Sequence, residues 1–424
     1  MSADQDTADK RFRFIPYRKK DLLSWCLQDL GRQPEALAQK VSDFARFGTL
    51  LNSVYHHDFR SLVEGLKDSY AALDPDADTR RITVIPHAGK DSGPGFAALL
   101  GELLEKANYE VITQADLNQA LAESSLFKIS LQVDFGDFCE VLLFCRGEAR
   151  RTEKVSSCFG LIRREIEFVN YDRVVLYLRF RDDYGQQGNA PAGCKAGSTL
   201  LKLFQNVPKA DLEMLFPNTH VRMRTIDKLL IGVPALISGG IVLTTKLGAS
   251  LVVLGSLLGF WLGLHQQPVE INEAVIMALL AGAGALGGYL WKQFNTFKNR
   301  KLQFMQALMQ NLYFKNLDNN AGVFHRLADD AEEEEFKEAM LAYYQLLIAE
   351  KGLSRAELDT RIEQRFAAEL GCTLDFEIDD ALHKLQSLAL VQEVDGLLVA
   401  VSLEHANRLL NQRWDGYFEP GALA

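Results

Sequence analysis

The sequence predicts an α+β membrane protein, and three patterns along the chain support this prediction. Apolar residues recur at helical spacing near both ends, alternating strand patterns lie between them, and two long apolar runs occupy the middle. The predicted parts are an N-terminal helical pair plus a mainly antiparallel sheet, a transmembrane helical hairpin and a C-terminal winged-helix-like domain. They correspond to a cytoplasmic α+β domain at 12–220, a hairpin at 229–293, a stalk helix and connection at 294–328, and a winged-helix-like cytoplasmic domain at 329–424.

Composition narrows the class of protein. A chain of 424 residues with 48% hydrophobic and 24% charged residues has room for folded domains around a membrane segment. The net charge of −10 argues against nucleic acid as a general partner, because binding phosphate requires an excess of Lys and Arg. The six cysteines show no Cys-x-x-Cys pair, so we expect reduced thiols, no metal and no cofactor.

The region before the apolar runs combines helices and strands. From residue 37 to 70 the apolar positions are three or four apart, or multiples of these, which predicts a helical pair. The alternation in 128–135, followed by apolar segments at 141–145, 164–169, 174–180 and 200–204, predicts a mainly antiparallel sheet of about five strands.

A glycine-rich stretch at 87–95 lies between a short predicted strand and a helix, an arrangement that can bind phosphate through backbone N–H groups. Its candidate residues are His87, Gly89 and Lys90. The order Gly-x-x-x-x-Gly-Lys-Ser/Thr is absent, and Pro94 has no N–H to donate. An ordinary connection is therefore favoured, and a nucleotide- or phosphate-binding enzyme remains an alternative.

The two apolar runs predict membrane crossings. Lys246 is the one charged residue in 229–264, and 274–291 has none, whereas a bilayer core of about 30 Å needs roughly 20 apolar residues. We predict two crossings, at about 247–264 and 274–293, with 229–245 as an apolar lead-in; three crossings are the alternative. Basic residues flank the runs and place both soluble regions in the cytoplasm: Arg222, Arg224, Lys228, Lys292, Lys298, Arg300 and Lys301.

Glycines four residues apart lie on one side of each predicted transmembrane helix. These candidate packing residues are Gly255, Gly259, Gly263, Gly284 and Gly288. Missing side chains allow a neighbouring helix to approach closely. The favoured interpretation is that the two helices of one hairpin pack together. A homo-oligomer that surrounds an ion or solute pathway is the alternative.

The C-terminal region predicts a winged helix. An acidic run at 329–338 opens a helix, where acids complement the helix dipole, and Ser354 with Glu357 forms a capping box for the next helix. A third helix at 377–389 and a hairpin at 391–401 complete the pattern. The third helix carries Glu377, Asp379 and Asp380, which would be repelled by DNA, so we expect a protein partner and no nucleic acid.

Four segments together resemble the uncharacterised membrane-protein family known as domain of unknown function 3754, which includes an animal mitochondrial transmembrane protein. They are Asp74–Asp76, Val207–Pro217, Tyr313–Asn320 and Ala331–Tyr344. The resemblance implies no activity, substrate or catalytic residue. Because the transit segment of the organelle relatives has no counterpart in this sequence, we expect a bacterial inner membrane location.

These observations lead to one functional prediction. The chain is expected to be a membrane-anchored protein-binding or scaffold module without a catalytic site, in contact with the lipid bilayer and an unidentified protein.

Overall fold

The structure, a computed structural model, describes residues 11–32, 38–71, 73–75, 95–113, 115–117, 130–157, 162–184, 196–218, 220–222, 248–262, 273–349 and 351–417. The chain forms two compact units. The first comprises Met1–Ser124, Asp134–Asn218 and Lys315–Ala424, and the second comprises Ser125–Val133 and Thr219–Phe314.

The described helices, in chain order, are α1 (Lys19–Arg32), α2 (Ala38–Tyr70), α3 (Phe96–Lys106), α4 (Gly248–Trp261), α5 (Glu273–Lys315), α6 (Ala321–Leu347), α7 (Arg355–Leu370), α8 (Ile378–Ser387) and α9 (Leu403–Gly416). The described strands are β1 (Arg11–Phe12), β2 (Glu110–Val111), β3 (Ser130–Gln132), β4 (Phe138–Ser157), β5 (Ile162–Phe180), β6 (Thr199–Pro208), β7 (His220–Arg222), β8 (Asn316–Asn319), β9 (Thr373–Leu374), β10 (Val391–Val394) and β11 (Leu397–Ala400).

An antiparallel sheet of five strands lies in the first unit, in the order β2-β4-β5-β6-β8. The predicted antiparallel sheet of about five strands is therefore confirmed, but its membership differs. The segments 164–169 and 174–180 form one continuous strand, β5, because no proline or glycine separates them. The predicted strand at 128–135 is represented by β3, which pairs with β7 in the second unit.

Two apolar cores stabilise the first unit. One lies where the sheet contacts α3 and the beginning of α6, and Tyr70, Phe96 and Phe324 meet there with ring centroids 4.6 to 6.2 Å apart. The other joins α1, α2, α6, α7, α8, β10, β11 and α9, and the ring of Phe47 stacks on that of Tyr343 at 4.3 Å. The N-terminal and C-terminal helices therefore share one apolar core.

The C-terminal elements follow from local signals. Ser354 and Glu357 form both hydrogen bonds of a capping box at the start of α7, and Gly371 ends that helix at a φ of 63°. Asp395 and Gly396, both at positive φ, form the two-residue turn between β10 and β11. No sequence pattern indicated α9, which follows this hairpin and lies against α2.

The predicted transmembrane hairpin is wrong. Across the described ranges, no helix is both long enough and apolar enough to cross a membrane. The 14 residues of α4 span about 21 Å, less than a bilayer core of about 30 Å. The 43-residue helix α5 gains its length by continuing beyond the apolar run into a segment that contains Lys292 and Lys298.

This finding also overturns the crossings at 247–264 and 274–293 and the multi-pass location in a bacterial inner membrane. The predicted lead-in at 229–245 lies outside the described residues.

Candidate functional site: an acidic cleft in the first unit

A cavity of about 590 Å³ opens in the first unit and is called the cleft below. Six stretches of the chain contribute to it: the segment after β1, α2, the end of α3 with β2, α6, α8 and α9. Its lining residues are Arg13, Tyr55, Asp58, Glu102, Glu105, Lys106, Asn108, Tyr109, Glu110, Glu335, Glu377, Asp380, His383, Lys384, Ser387, Leu388 and Arg413.

Acidic side chains outnumber basic ones around the cleft. Seven carboxyl groups belong to Asp58, Glu102, Glu105, Glu110, Glu335, Glu377 and Asp380, against four cationic groups of Arg13, Lys106, Lys384 and Arg413. Several of them are paired: Lys106 with Glu102 at 2.9 Å, Arg413 with Asp58 at 3.3 Å, and Arg13 with Glu377. The excess of carboxylates gives the cleft a negative potential that favours cations.

Lys384 forms the inner wall and is only 7% exposed. Its Nζ lies 3.0 Å from Glu335, 2.6 Å from Asp380 and 2.5 Å from Glu338. Burial alone would lower the pKa of Lys384, but the three carboxylates together raise it above its ordinary value. The amine is therefore protonated at neutral pH and is not a nucleophile.

Burial favours the neutral form of two carboxyl groups beside Lys384, those of Glu335 and Glu338. Glu338 is 1% exposed, and this burial raises its pKa to about 7 despite Lys384 and a hydrogen bond from Asn108 Nδ2 at 2.7 Å. Burial also raises the pKa of Glu335. One ammonium, which half-exposed Asp380 also shares, does not offset the burial of both Glu335 and Glu338, so the pair retains a proton near neutral pH.

Tyr55 places a polar atom in the wall beside this cluster. The residue is 7% exposed, lines the cleft, and its hydroxyl has no hydrogen-bond partner among the described residues. Burial raises its pKa, so the phenol remains protonated. A buried hydroxyl without a partner is costly, and a ligand with a polar group in the cleft would provide the missing hydrogen bond.

Two other acids of α6, Glu332 and Glu334, bind the N-terminal segment and do not line the cleft. Glu334 accepts hydrogen bonds from Ile15 N at 3.0 Å and from Lys337 Nζ at 2.7 Å. Lys337 also donates to Ile15 O at 2.8 Å, and Glu332 pairs with Lys19 at 3.2 Å. The interpretation of the acidic run as first-turn acids is therefore wrong: α6 begins at residue 321, the run lies in its middle, and four of its acids are buried, namely Glu332, Glu334, Glu335 and Glu338.

The cleft differs from the sites that sequence patterns indicated. His87, Gly89, Lys90, Arg224, Lys228 and Gly263 lie outside the described residues. Gly255, Gly284 and Gly288 have no atom within 4 Å of the position of an added Cβ, and Gly259 is half-buried. Lys292 and Lys298 are exposed on α5, which also contains Arg300 and Lys301, and Arg222 belongs to β7. The glycine packing role stays a prediction.

Some of the cleft residues belong to patterns visible in the sequence, but those patterns do not indicate that the residues form one group. The sequence shows Glu377 and Asp380 as acids that would repel DNA, and it places Glu335 in an acidic run together with Glu338, which lies behind the cleft wall. One sequence signal could have indicated that this acidic run is buried. Lys337 is a base inside the run, and the apolar residues Phe336 and Ala339 lie next to it; all three are buried in the structure. No group of three or more His, Cys, Asp or Glu in the described part could hold a metal ion.

A family model described as a protein of unknown function (DUF3754) matches residues 171–322, from the second part of β5 to the start of α6. The matched range includes Val207–Pro217 and Tyr313–Asn320, two of the segments that carry the sequence resemblance. No solved structure matches the chain. The residues of the cleft all lie outside the matched range.

Proposed function

We propose that this protein is a protein-binding module whose cleft receives a basic side chain from a short segment of a partner. The observation that carries the proposal is the excess of carboxylates around a cavity that is also lined by Tyr55, whose buried hydroxyl has no partner in the described part of the chain. Hydrogen bonds between a carboxylate and an ammonium or guanidinium group are stronger than those between neutral groups.

Charge favours a protein over a nucleic acid. Phosphates would meet Glu102, Glu105 and Glu110 from α3 and β2, and Glu377 at the start of α8. Like charges that face each other across an interface cost roughly several kcal/mol of binding free energy, so binding of an anionic polymer is disfavoured. A Lys or Arg side chain instead meets carboxylates at the rim and a hydroxyl within.

The chemistry of the cluster also favours binding over covalent catalysis. The amine of Lys384 is held protonated, and its donors are directed to Glu335, Glu338 and Asp380. The alternative enzyme prediction relies on His87 and Lys90, which lie outside the described residues.

The test uses an N-acetylated, amidated hexalysine peptide and isothermal titration calorimetry on the full chain. We expect hexalysine to bind and a hexaglutamate peptide not to bind. Tyr55→Phe should weaken hexalysine binding about three- to tenfold, the value of one hydrogen bond. Because the Tyr55 hydroxyl has no partner among the described residues, this change removes an uncompensated buried polar group and should raise the free energy of unfolding by about 1–3 kcal/mol.

Tyr17→Phe is the matched control. The Tyr17 hydroxyl donates to Leu370 O at 3.1 Å, away from the cleft. Its loss should cost about 1 kcal/mol of unfolding free energy and leave peptide affinity unchanged. Failure of hexalysine to bind, or equal affinity in the Tyr55→Phe variant, would refute the proposal. Equally tight binding of 1,5-diaminopentane would identify a small organic cation as the ligand instead of a protein segment.

A further inference from the structure

Glu335 and Glu338 form a buried carboxyl pair one turn apart on α6. Glu335 is 6% exposed and lines the cleft, and Glu338 is 1% exposed behind it. Both contact the same ammonium group, that of Lys384, at 3.0 and 2.5 Å. The pair therefore connects the wall that a ligand touches with a carboxyl group that water does not reach.

Other charged and titratable groups surround the pair on every side. They are Glu334 on the same helix, Asp380, His383 and Lys384 on α8, Tyr55 on α2, and Lys106 at the end of α3. Asn108, which is neutral, donates to Glu338. The nearest positively charged group to Glu335 and Glu338 is the ammonium of Lys384. Asp380 contacts the same ammonium at 2.6 Å.

We propose that the cleft takes up the cation of its ligand in exchange for a proton, which leaves the Glu335–Glu338 pair for the solvent. This inference rests on the proposed binding function and adds its regulation. A second positive charge placed against Glu335 favours the ionised form of the pair, by the same attraction that Lys384 exerts. The charge balance is complete, since one cation enters and up to one proton leaves.

The size of the pH dependence follows from the thermodynamic linkage between ligand binding and proton release. Burial raises the pKa of Glu338 to about 7, so the free protein is mostly protonated there at pH 6 and mostly ionised at pH 8. Ligand binding must displace that proton at pH 6 and need not do so at pH 8. We expect binding of acetylated hexalysine to be about tenfold tighter at pH 8 than at pH 6.

The experiment is titration calorimetry of the full chain with acetylated, amidated hexalysine, in pairs of buffers that differ in ionisation enthalpy. The peptide has no group that titrates between pH 6 and 8, because lysine side chains titrate near 10. We expect nearly one proton released per peptide at pH 6 and almost none above pH 8. In Glu338→Gln, the pH dependence of the affinity should disappear.

Two controls separate this pair from its neighbours. Glu105→Gln removes a cleft carboxylate and should weaken binding at both pH values while the tenfold ratio persists. His383 also lines the cleft, and because the exchange is assigned to the Glu335–Glu338 pair, His383→Gln should keep the ratio as well. A ratio that disappears in His383→Gln and persists in Glu338→Gln would overturn the assignment.

The outcomes distinguish the two proposals. Absence of hexalysine binding at every pH refutes the binding function. Binding without proton release at pH 6 refutes the exchange alone. The proton count is measured on the unaltered protein, so it decides the question even when Glu338→Gln does not fold.

Discussion

Replacement of Lys384 by Met tests whether the cleft cluster depends on one buried ammonium. Methionine keeps an unbranched apolar chain and removes the charge from the position where Glu335, Glu338 and Asp380 converge. Removing one partner from a buried ion pair typically costs about 3–5 kcal/mol, because the remaining charge has no compensation. We expect a loss of this size at pH 8.

The loss of unfolding free energy in Lys384→Met should be smaller at acidic pH. Burial already raises the pKa of Glu338 and Glu335 above the unfolded values, and removal of Lys384 raises them further. The folded state then binds more protons than the unfolded state, so the unfolding free energy rises as the pH falls through the folded pKa values. At pH 5 the cost should fall to about 1–2 kcal/mol, the value of the hydrogen bonds that are lost.

Urea denaturation followed by circular dichroism at pH 5 and pH 8 measures both values. The matched control is Lys106→Met, a cleft lysine whose side chain is 39% exposed and pairs with Glu102 one turn away. That pair should contribute only about 0.3–0.5 kcal/mol. The reasoning is refuted by a loss in Lys384→Met no larger than in Lys106→Met, or by an equal loss at the two pH values.

Three further substitutions test the local structure of the first unit by differential scanning calorimetry. Gly352→Ala should lower the unfolding free energy by about 1–3 kcal/mol, because its Cβ would lie 2.9 Å from Leu397 Cβ; an unchanged Tm would contradict this contact. Gly101→Ala in α3, with no atom within 4 Å of the added Cβ, should instead raise the unfolding free energy by about 0.5–1 kcal/mol. A lower Tm in this variant would show that the site is crowded. Ser354→Ala removes the hydroxyl that accepts from Glu357 N and should cost about 1 kcal/mol; no loss would mean that the capping box does not stabilise α7.

Local signals predicted the elements whose boundaries depend on nearby residues. The capping box at Ser354, the glycine at 371 and the Asp395–Gly396 turn each satisfy backbone requirements within a few residues, so they are readable without knowledge of the fold. The alternation of strand residues likewise indicated an antiparallel sheet. The partner of β3 was not predictable, because strand pairing joins segments that are distant in sequence.

Two errors had a common cause, which is that composition alone does not decide what a residue contacts. The apolar run near 247–264 was long enough as a sequence, but the described helix α4 has only 14 residues. The acidic run at 329–338 had the composition of a solvated helix start, yet Glu334 and Glu338 are buried because Lys337 and Lys384 lie beside them. Lys384 is 46 residues away from Glu338 along the chain.

By itself, the sequence determined the α+β class, the antiparallel sheet and the helix and turn signals near the C-terminus, because these depend on periodicity and on neighbouring residues. Only the tertiary structure decided where the charges lie. It brings α2, α3, α6, α8 and α9 together around one cleft, where burial raises the pKa of Glu338 and the neighbouring carboxylates keep Lys384 protonated against its burial. The physical reason is that the energy of a charge depends on the solvent and the groups around it, which only packing specifies.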